Sequence, residues 1–207
     1  MLKVQIIIFD GFDELDGIAP YEVLKVAAAN GADMQVELVA LDPNAVITAS
    51  HGSQVHPQAQ FTNEAEIDIL IVPGGGWGEY EGEEPPPAGV RAELQGKIPQ
   101  IIYDLYQKGV TIASVCTGAM LVAEKELLSG RPAITHHNAI KDLEDKGAVI
   151  IKARVVDDGD IITAGGVTSG LDLALWLVER YFTPEIADKT ETLLEYERRG
   201  TVWRRSA

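Results

Sequence analysis

Apolar and polar positions along the chain fall into alternating strand and helix patterns. Residues 3–9 are a Val/Ile-rich run, the mark of a strand buried on both faces. A polar turn over 10–16 leads to a helical pattern near 20–30, with Pro20 at its start and Gly31 as its stop. Residues 35–41 alternate as a second strand, and 46–48 and 54–56 flank a His-Gly-Ser turn as a small hairpin. A short apolar strand over 68–72 ends at Pro73 and runs into Gly74, Gly75 and Gly76. The proline- and glutamate-rich stretch 80–89 reads as an irregular surface loop or lid, and 90–108 as a helix broken near Pro99. A strand over 110–115 enters a Gly/Ala-rich helix that ends near Gly130; a short strand over 133–135 and a helix over 137–146, stopped by Gly147, come next. Two strands, 149–156 and 160–164, flank an Asp-Asp-Gly turn, a helix occupies 168–181, and Thr183-Pro184-Glu185 caps and opens a last one.

Strands alternating with helices predict an α/β fold with a parallel sheet covered on both faces, in which ligands collect at the carboxyl ends of the strands. No internal repeat or long linker divides the sequence, so a single domain spanning 1–207 is expected.

Charge narrows the function classes. Seventeen basic residues against thirty-two acidic ones give a formal charge of −15, a field that repels nucleic acid and anionic membrane. No apolar stretch reaches the roughly eighteen residues of a membrane span, and the first residues lack a signal-peptide pattern. A cytoplasmic protein with neither nucleic-acid nor membrane partners is expected. Arg198, Arg199, Arg204 and Arg205 make the C-terminal end locally basic, which fits a solvated terminus or a subunit contact.

Candidate chemistry centres on Cys116, the only cysteine, so no intramolecular disulfide is possible. It stands where an apolar strand gives way to a helix, with Ser114, Gly118 and Ala119 around it; small neighbours suit a sharp strand-to-helix elbow. Backbone N–H groups and the helix dipole at such a position favour thiolate over thiol, which predicts a reactive sulfur ionised at neutral pH. An inert core cysteine is the competing assignment. Asp16 lies at the entrance to the first helix, where it can cap that helix or aim its carboxyl across the sheet edge. Amides of the glycine loop, at Gly75 and Gly76, together with the N–H of Thr117, are candidate oxyanion donors. His136, twenty residues after the cysteine, stands at the end of a short strand, placed to orient a water or the thiolate or simply hydrogen-bonded. Trp77 walls the pocket or covers a neighbouring subunit. No cofactor is indicated: His51 and His56 lack ligand spacing, and Asp157, Asp158 and Asp160 lack the terminal glutamate of a calcium loop.

Leu15-Asp16 with Pro20, Val72-Pro73-Gly74-Gly75, the elbow from Ser114 to Ala119, Thr135-His136, and Thr163-Ala164-Gly165-Gly166 before Thr168-Ser169-Gly170 together resemble the DJ-1/PfpI (ThiJ/PfpI) superfamily over nearly the whole chain. The resemblance implies a flavodoxin-like fold of the class I glutamine amidotransferase kind, a reactive elbow cysteine at Cys116, a carboxylic acid at Asp16 bonded to its sulfur, and a homodimer. The protease branch places a histidine directly after the cysteine, where this chain has Thr117. Cys116-Thr117-Gly118 with Asp16 is more similar to the isonitrile hydratase branch and to the sensor domains of some AraC-type regulators, whose helix-turn-helix module is not expected in a chain ending at Ala207. The function implied is a cysteine-dependent hydratase (lyase) that adds water to a small electrophile such as an isonitrile, giving an N-substituted formamide. Glyoxalase or deglycase activity and a non-enzymatic cysteine redox sensor are the alternatives, with an inert binding domain as a third.

Overall fold

The computed structural model describes residues 1–61, 66–78 and 88–205. In chain order the elements are β1 (Leu2–Ile7), α1 (Glu14–Ala29), β2 (Met34–Ala40), β3 (Ile47–Thr48), β4 (Gln54–Val55), β5 (Ala59–Gln60), β6 (Ile69–Val72), α2 (Val90–Glu93), α3 (Ile98–Gln107) and β7 (Thr111–Val115). They continue with α4 (Gly118–Ala123), β8 (Pro132–Ala133), a 3₁₀ turn at His137–Ala139, α5 (Ile140–Asp145), β9 (Val149–Ile150), β10 (Val155–Asp157), β11 (Ile161–Ala164), α6 (Ser169–Tyr181), α7 (Pro184–Leu194) and β12 (Trp203–Arg204).

Eight strands form one sheet in the order β12-β10-β11-β7-β6-β1-β2-β5. Pairing is parallel throughout except between β10 and β11, the hairpin around the Asp-Asp-Gly turn. The central strands are continuous apolar runs because helices cover both faces: every residue of β6 and of β11 is buried. Helices α1, α6 and α7 pack on one another in one layer, and α2, α3 and α5 gather around α4 in the other. Ser114 of β7 sits in register with Val72 of β6, and Val115 with Ala164 of β11, so the carboxyl ends of β11, β7, β6 and β1 lie side by side.

Several boundaries differ from the sequence pattern. The first helix starts at Glu14, capped by Asp13, whose side chain accepts the Leu15 N–H at 3.2 Å. Pro20 therefore lies inside the helix, where it has no N–H to offer the Asp16 carbonyl one turn earlier. The break between α2 and α3 falls at residues 94–97, and Pro99 belongs to the first turn of α3, a position that needs no N–H donor. The helix after the cysteine is short, ending at Ala123, and residues 124–130 continue as turns. Residues 149–150 pair with β8 in a separate two-stranded sheet, so only 155–156 of the expected 149–156 strand, extended by Asp157, pairs with β11. The two-residue edge strands β5 and β12 carry no sequence signal of their own. Most of the expected 80–89 loop lies outside the described residues.

Candidate active site

Four chain crossings converge at the carboxyl edge of the sheet. They are the β1–α1 loop with Asp13 and Asp16, the Pro73-Gly74-Gly75 segment after β6, the elbow after β7 with Cys116 and Thr117, and the β11–α6 crossing at Gly165 to Val167.

Cys116 has φ +58°, the left-handed region that residues with a side chain avoid, at a cost of about 1–3 kcal/mol. The elbow is held from outside itself. Its N–H donates to the Ala164 and Gly165 carbonyls, both at 3.0 Å, and its carbonyl accepts the Thr135 hydroxyl at 2.9 Å. The small neighbour is a steric requirement: a Cβ at Gly118 would come within 2.2 Å of the Val72 carbonyl oxygen.

Asp16 is fully buried in the first turn of α1 and does not cap the helix, because Asp13 does. Its Oδ2 accepts the Gly74 N–H at 3.0 Å, and Oδ1 is buried with no hydrogen-bond partner of ordinary geometry. Burial first, and the Asp13 charge second, push its pKa up to about 8, against the pull of the Cys116 thiol and the Gly74 amide. The thiol is itself only 6% exposed. Burial, and then the Asp16 charge, push it up to about 12, although the Val167 and Thr117 amides hydrogen-bond the sulfur and act in the other direction. Both shifts run against the expectation of a thiolate ionised at neutral pH. Six residues of α4 and two amide donors do not offset the desolvation of a buried anion beside a second acid. Both shifts favour an uncharged Cys116–Asp16 pair near neutrality.

The glycine loop contacts the pair differently from the expected oxyanion hole. The Gly75 N–H donates to Thr117 Oγ1 at 3.0 Å and is committed there. Gly76 packs against Gly89: a Cβ on it would lie 2.9 Å from the Gly89 Cα. A Cβ on Gly74 would meet Thr117 N at 2.5 Å and Asp16 Oδ2 at 2.9 Å, so this glycine allows the acid and the elbow to share one wall. Thr117 is placed as expected at the start of α4, with its amide toward the sulfur.

His136 flanks this centre without a direct bond to Cys116. Its Nδ1 accepts the Asn138 N–H at 3.2 Å, its ring lies 4.1 Å from that of His137, and its Cδ2 would be 2.4 Å from a Cβ on Gly166. Burial and the neighbouring His137 hold its pKa below the usual imidazole range, and with Nδ1 accepting, the proton of the neutral ring is on Nε2. Trp77 is fixed between helices: its Nε1–H donates to Asp142 Oδ2 at 2.7 Å and the Arg91 guanidinium lies 4.4 Å from its ring centroid. Thr135 and Val167 were not anticipated. Val167 is a β-branched residue with φ +41° whose amide serves the sulfur, and a single sequence carries no local signal for that conformation. Among the described residues no group of three or more His, Cys, Asp or Glu is arranged to hold a metal ion, and no helix is long and apolar enough to cross a membrane.

The DJ-1/PfpI family model matches residues 2–180. The chain belongs to the DJ-1/PfpI family. It is 33% identical over 196 residues to an isonitrile hydratase of Pseudomonas putida, covering 94% of this chain and 78% of that one. A deglycase of Pyrococcus abyssi is 28% identical, with 79% of this chain and 89% of the deglycase covered. Among solved structures, a ThiJ/PfpI family protein from Pseudomonas syringae superposes with a TM-score of 0.80 at 24% identity, over 96% of this chain and 76% of its own. The fold is that of the family: a mostly parallel flavodoxin-like sheet between helical layers.

Proposed function

We propose that this protein is a hydratase that adds water to the terminal carbon of an isonitrile, with Cys116 as nucleophile and Asp16 as proton carrier. The observation that supports this best is the uncharged buried Cys116–Asp16 pair, in a chain 33% identical to an isonitrile hydratase. An isonitrile accepts a nucleophile and a proton on the same carbon. A thiol and a carboxylic acid that both retain their protons deliver the two without creating net charge in a desolvated pocket.

In the first step sulfur bonds to the terminal carbon of R–NC. Asp16 gives its proton to that carbon and takes the thiol proton, leaving the thioimidate Cys116–S–CH=N–R. Asp16 then protonates the nitrogen, and the resulting carboxylate removes a proton from the water that attacks the carbon. The adduct R–NH–CH(OH)–S–Cys116 collapses with cleavage of the C–S bond; the hydroxyl proton returns to sulfur through Asp16 and R–NH–CHO leaves. An acid whose pKa is raised to about 8 suits both donating and accepting close to neutral pH. Thr117 offers its amide to the sulfur and its hydroxyl to the Gly75 N–H, which fixes the elbow against the glycine loop.

The deglycase relatives favour a second activity, on methylglyoxal-type carbonyls, with His136 at the rim as an added proton carrier. A peroxide-sensing role needs an ionised Cys116, since oxidation proceeds from the thiolate, and the raised pKa of this thiol opposes it. Purified protein given cyclohexyl isonitrile and methylglyoxal in parallel is expected to form N-cyclohexylformamide. Cys116→Ala should abolish this, and Asp16→Asn should slow it by about a hundredfold or more. Lactate from methylglyoxal, with no formamide under saturating isonitrile, would replace the hydratase with a glyoxalase. The homodimer belongs to the same proposal and is checked by sedimentation velocity.

A further inference from the structure

A cleft of about 360 Å³ opens beside the elbow, between the Thr135–His136 step, the Lys152–Arg154 segment and the Gly165–Val167 crossing. Two of these three segments also hold the nucleophile: Thr135 bonds the Cys116 carbonyl, Gly165 accepts the Cys116 N–H, and Val167 donates to the sulfur. Val167 is thus shared between the lining of the cleft and the hydrogen bonds to the sulfur.

Its electrostatics run against those of the rest of the molecule. In a chain of net charge −15, no carboxylate among the described residues lines this cleft, whereas the larger clefts beside α7 and beside β10 are lined by Asp and Glu. The Lys152 ammonium is exposed at its edge and makes no ion pair among the described residues. Arg154 is anchored on Asp172, with Nη2 at 2.6 Å from Oδ2, and also donates to Thr168 Oγ1 at 3.1 Å. His136 faces Gly166 as a neutral ring with its proton on Nε2, a donor that does not depend on protonating the imidazole. The N-terminus of the thirteen-residue helix α6 adds its positive end at Ser169. Asp13 acts on His136 with the opposite sign from the first-helix side, so an anion is favoured on the Lys152 side of the cleft. The remaining wall, with Ile134, Ile140 and Ala153, is apolar.

We propose that this cleft is a subsite for a carboxylate on the electrophile that reacts at Cys116, recognised by Lys152 and by the Nε2–H of His136. This rests on Cys116 as the nucleophile and deepens the hydratase assignment: the preferred isonitriles are compact and carry an acid, with isocyanoacetate as the simplest probe.

The first test needs no turnover. Cys116 is alkylated with iodoacetate and with iodoacetamide at about pH 9, and the ratio of the two rates is compared with that of a free thiol such as N-acetylcysteine. The ratio is expected to be several times higher in the protein, to fall about fivefold in Lys152→Ala, to be retained in Lys152→Arg, and to decline with added salt. A ratio equal to or below that of the free thiol, and the same in Lys152→Ala, overturns the subsite. If neither reagent reaches the sulfur, Cys116→Ser protein is titrated with isocyanoacetate and with its methyl ester. Only the acid should move the His136 Nε2 resonance, and equal responses overturn the proposal. Turnover separates the two claims. Hydration of cyclohexyl isonitrile with no preference for isocyanoacetate over its ester sinks the subsite and leaves the hydratase; anion-selective labelling without formamide from either probe does the reverse.

Discussion

Asp16→Asn tests the protonation state of the site through stability alone. The asparagine keeps the shape and an oxygen for the Gly74 N–H, but it has no proton to lose. In the unfolded chain the carboxyl ionises around its ordinary value of 3.8, while in the native state it holds its proton up to about 8. Between these values the unfolded state binds fewer protons, so rising pH favours unfolding by about 1.4 kcal/mol per pH unit. The contribution of the buried acid is complete below the unfolded value and is lost as pH rises through the folded one. Over the whole interval, about four pH units, it reaches about 5 kcal/mol, an upper figure because relaxation and water entry reduce it. The sequence pI of about 4.6 makes the acid end impractical, so urea titrations run from about pH 5.5 to about pH 8.5. In that window wild type should lose about 3 kcal/mol relative to Asp16→Asn, with the difference levelling off near the top. Taking the difference between the two proteins cancels the other titrating groups. A difference that stays flat with pH, or that moves in favour of wild type as pH rises, would mean that Asp16 is ionised in the native protein, and the neutral-pair mechanism would fall.

Other perturbations probe the supports of the site. Gly74→Ala places a methyl group 2.5 Å from Thr117 N and should lower stability by about 1–3 kcal/mol in urea melts, with loss of formamide production. Glu14, held well below the usual carboxylate range at about 2, accepts the His51 N–H at 3.0 Å and the Ser53 N–H at 3.3 Å, so Glu14→Ala should speed hydrogen exchange at both amides; unchanged exchange would show that the hairpin does not need this clamp. Asp158 is buried and pairs with both Arg131 and Arg205, so Asp158→Ala should cost about 3–5 kcal/mol of unfolding free energy by urea titration, more than Asp145→Ala on the exposed Lys141 pair. Alkylation of Cys116 by iodoacetamide should stay slower than that of a free thiol from about pH 6 through about pH 9, because the first proton the pair loses leaves Asp16 and the resulting carboxylate holds the thiol proton in place; a fast plateau from pH 6 upward would restore the thiolate.

The parts of the fold that were legible in sequence are those where burial leaves a pattern. The apolar runs of β1, β6, β7 and β11 are continuous because both faces are covered, and the Thr183-Pro184 signature marks the start of α7 where the hydroxyl accepts the Ile186 N–H. Pro20 shows how a sound rule misplaces a boundary. Proline is common in the first turn of a helix, yet α1 begins six residues earlier, and tertiary packing tolerates the missing hydrogen bond: Gly170 of α6 leaves room beside the ring, where an added Cβ would lie 3.2 Å from Pro20 Cγ. Asp13 caps α1, whereas Asp16, the residue that reads as a cap in the sequence, does not. Only the register of the helix decides that the first caps and the second turns inward.

The site was legible as a set of residues more than as a chemical state. Small residues around Cys116 and glycines after β6 identify a crowded strand end, and the crowding is real: an added Cβ would collide with the Val72 carbonyl at Gly118 and with Thr117 at Gly74. The desolvation that pushes the thiol up was not legible, because a helix start is visible in sequence and burial is not. Cys116 is held by Thr135, Ala164, Gly165 and Val167, which arrive from strands and crossings far apart in the chain, and its pKa depends on Asp16, a hundred residues away. The same physics bears on mechanism. An ionised thiolate would have to be stabilised by cations or a strong oxyanion hole, and the Gly75 amide that was to build one is spent on Thr117. In the hydratase proposed here a pair that stays neutral needs neither, because an isonitrile carbon would take up sulfur and proton together and charge would appear only transiently, on an acid tuned to exchange it.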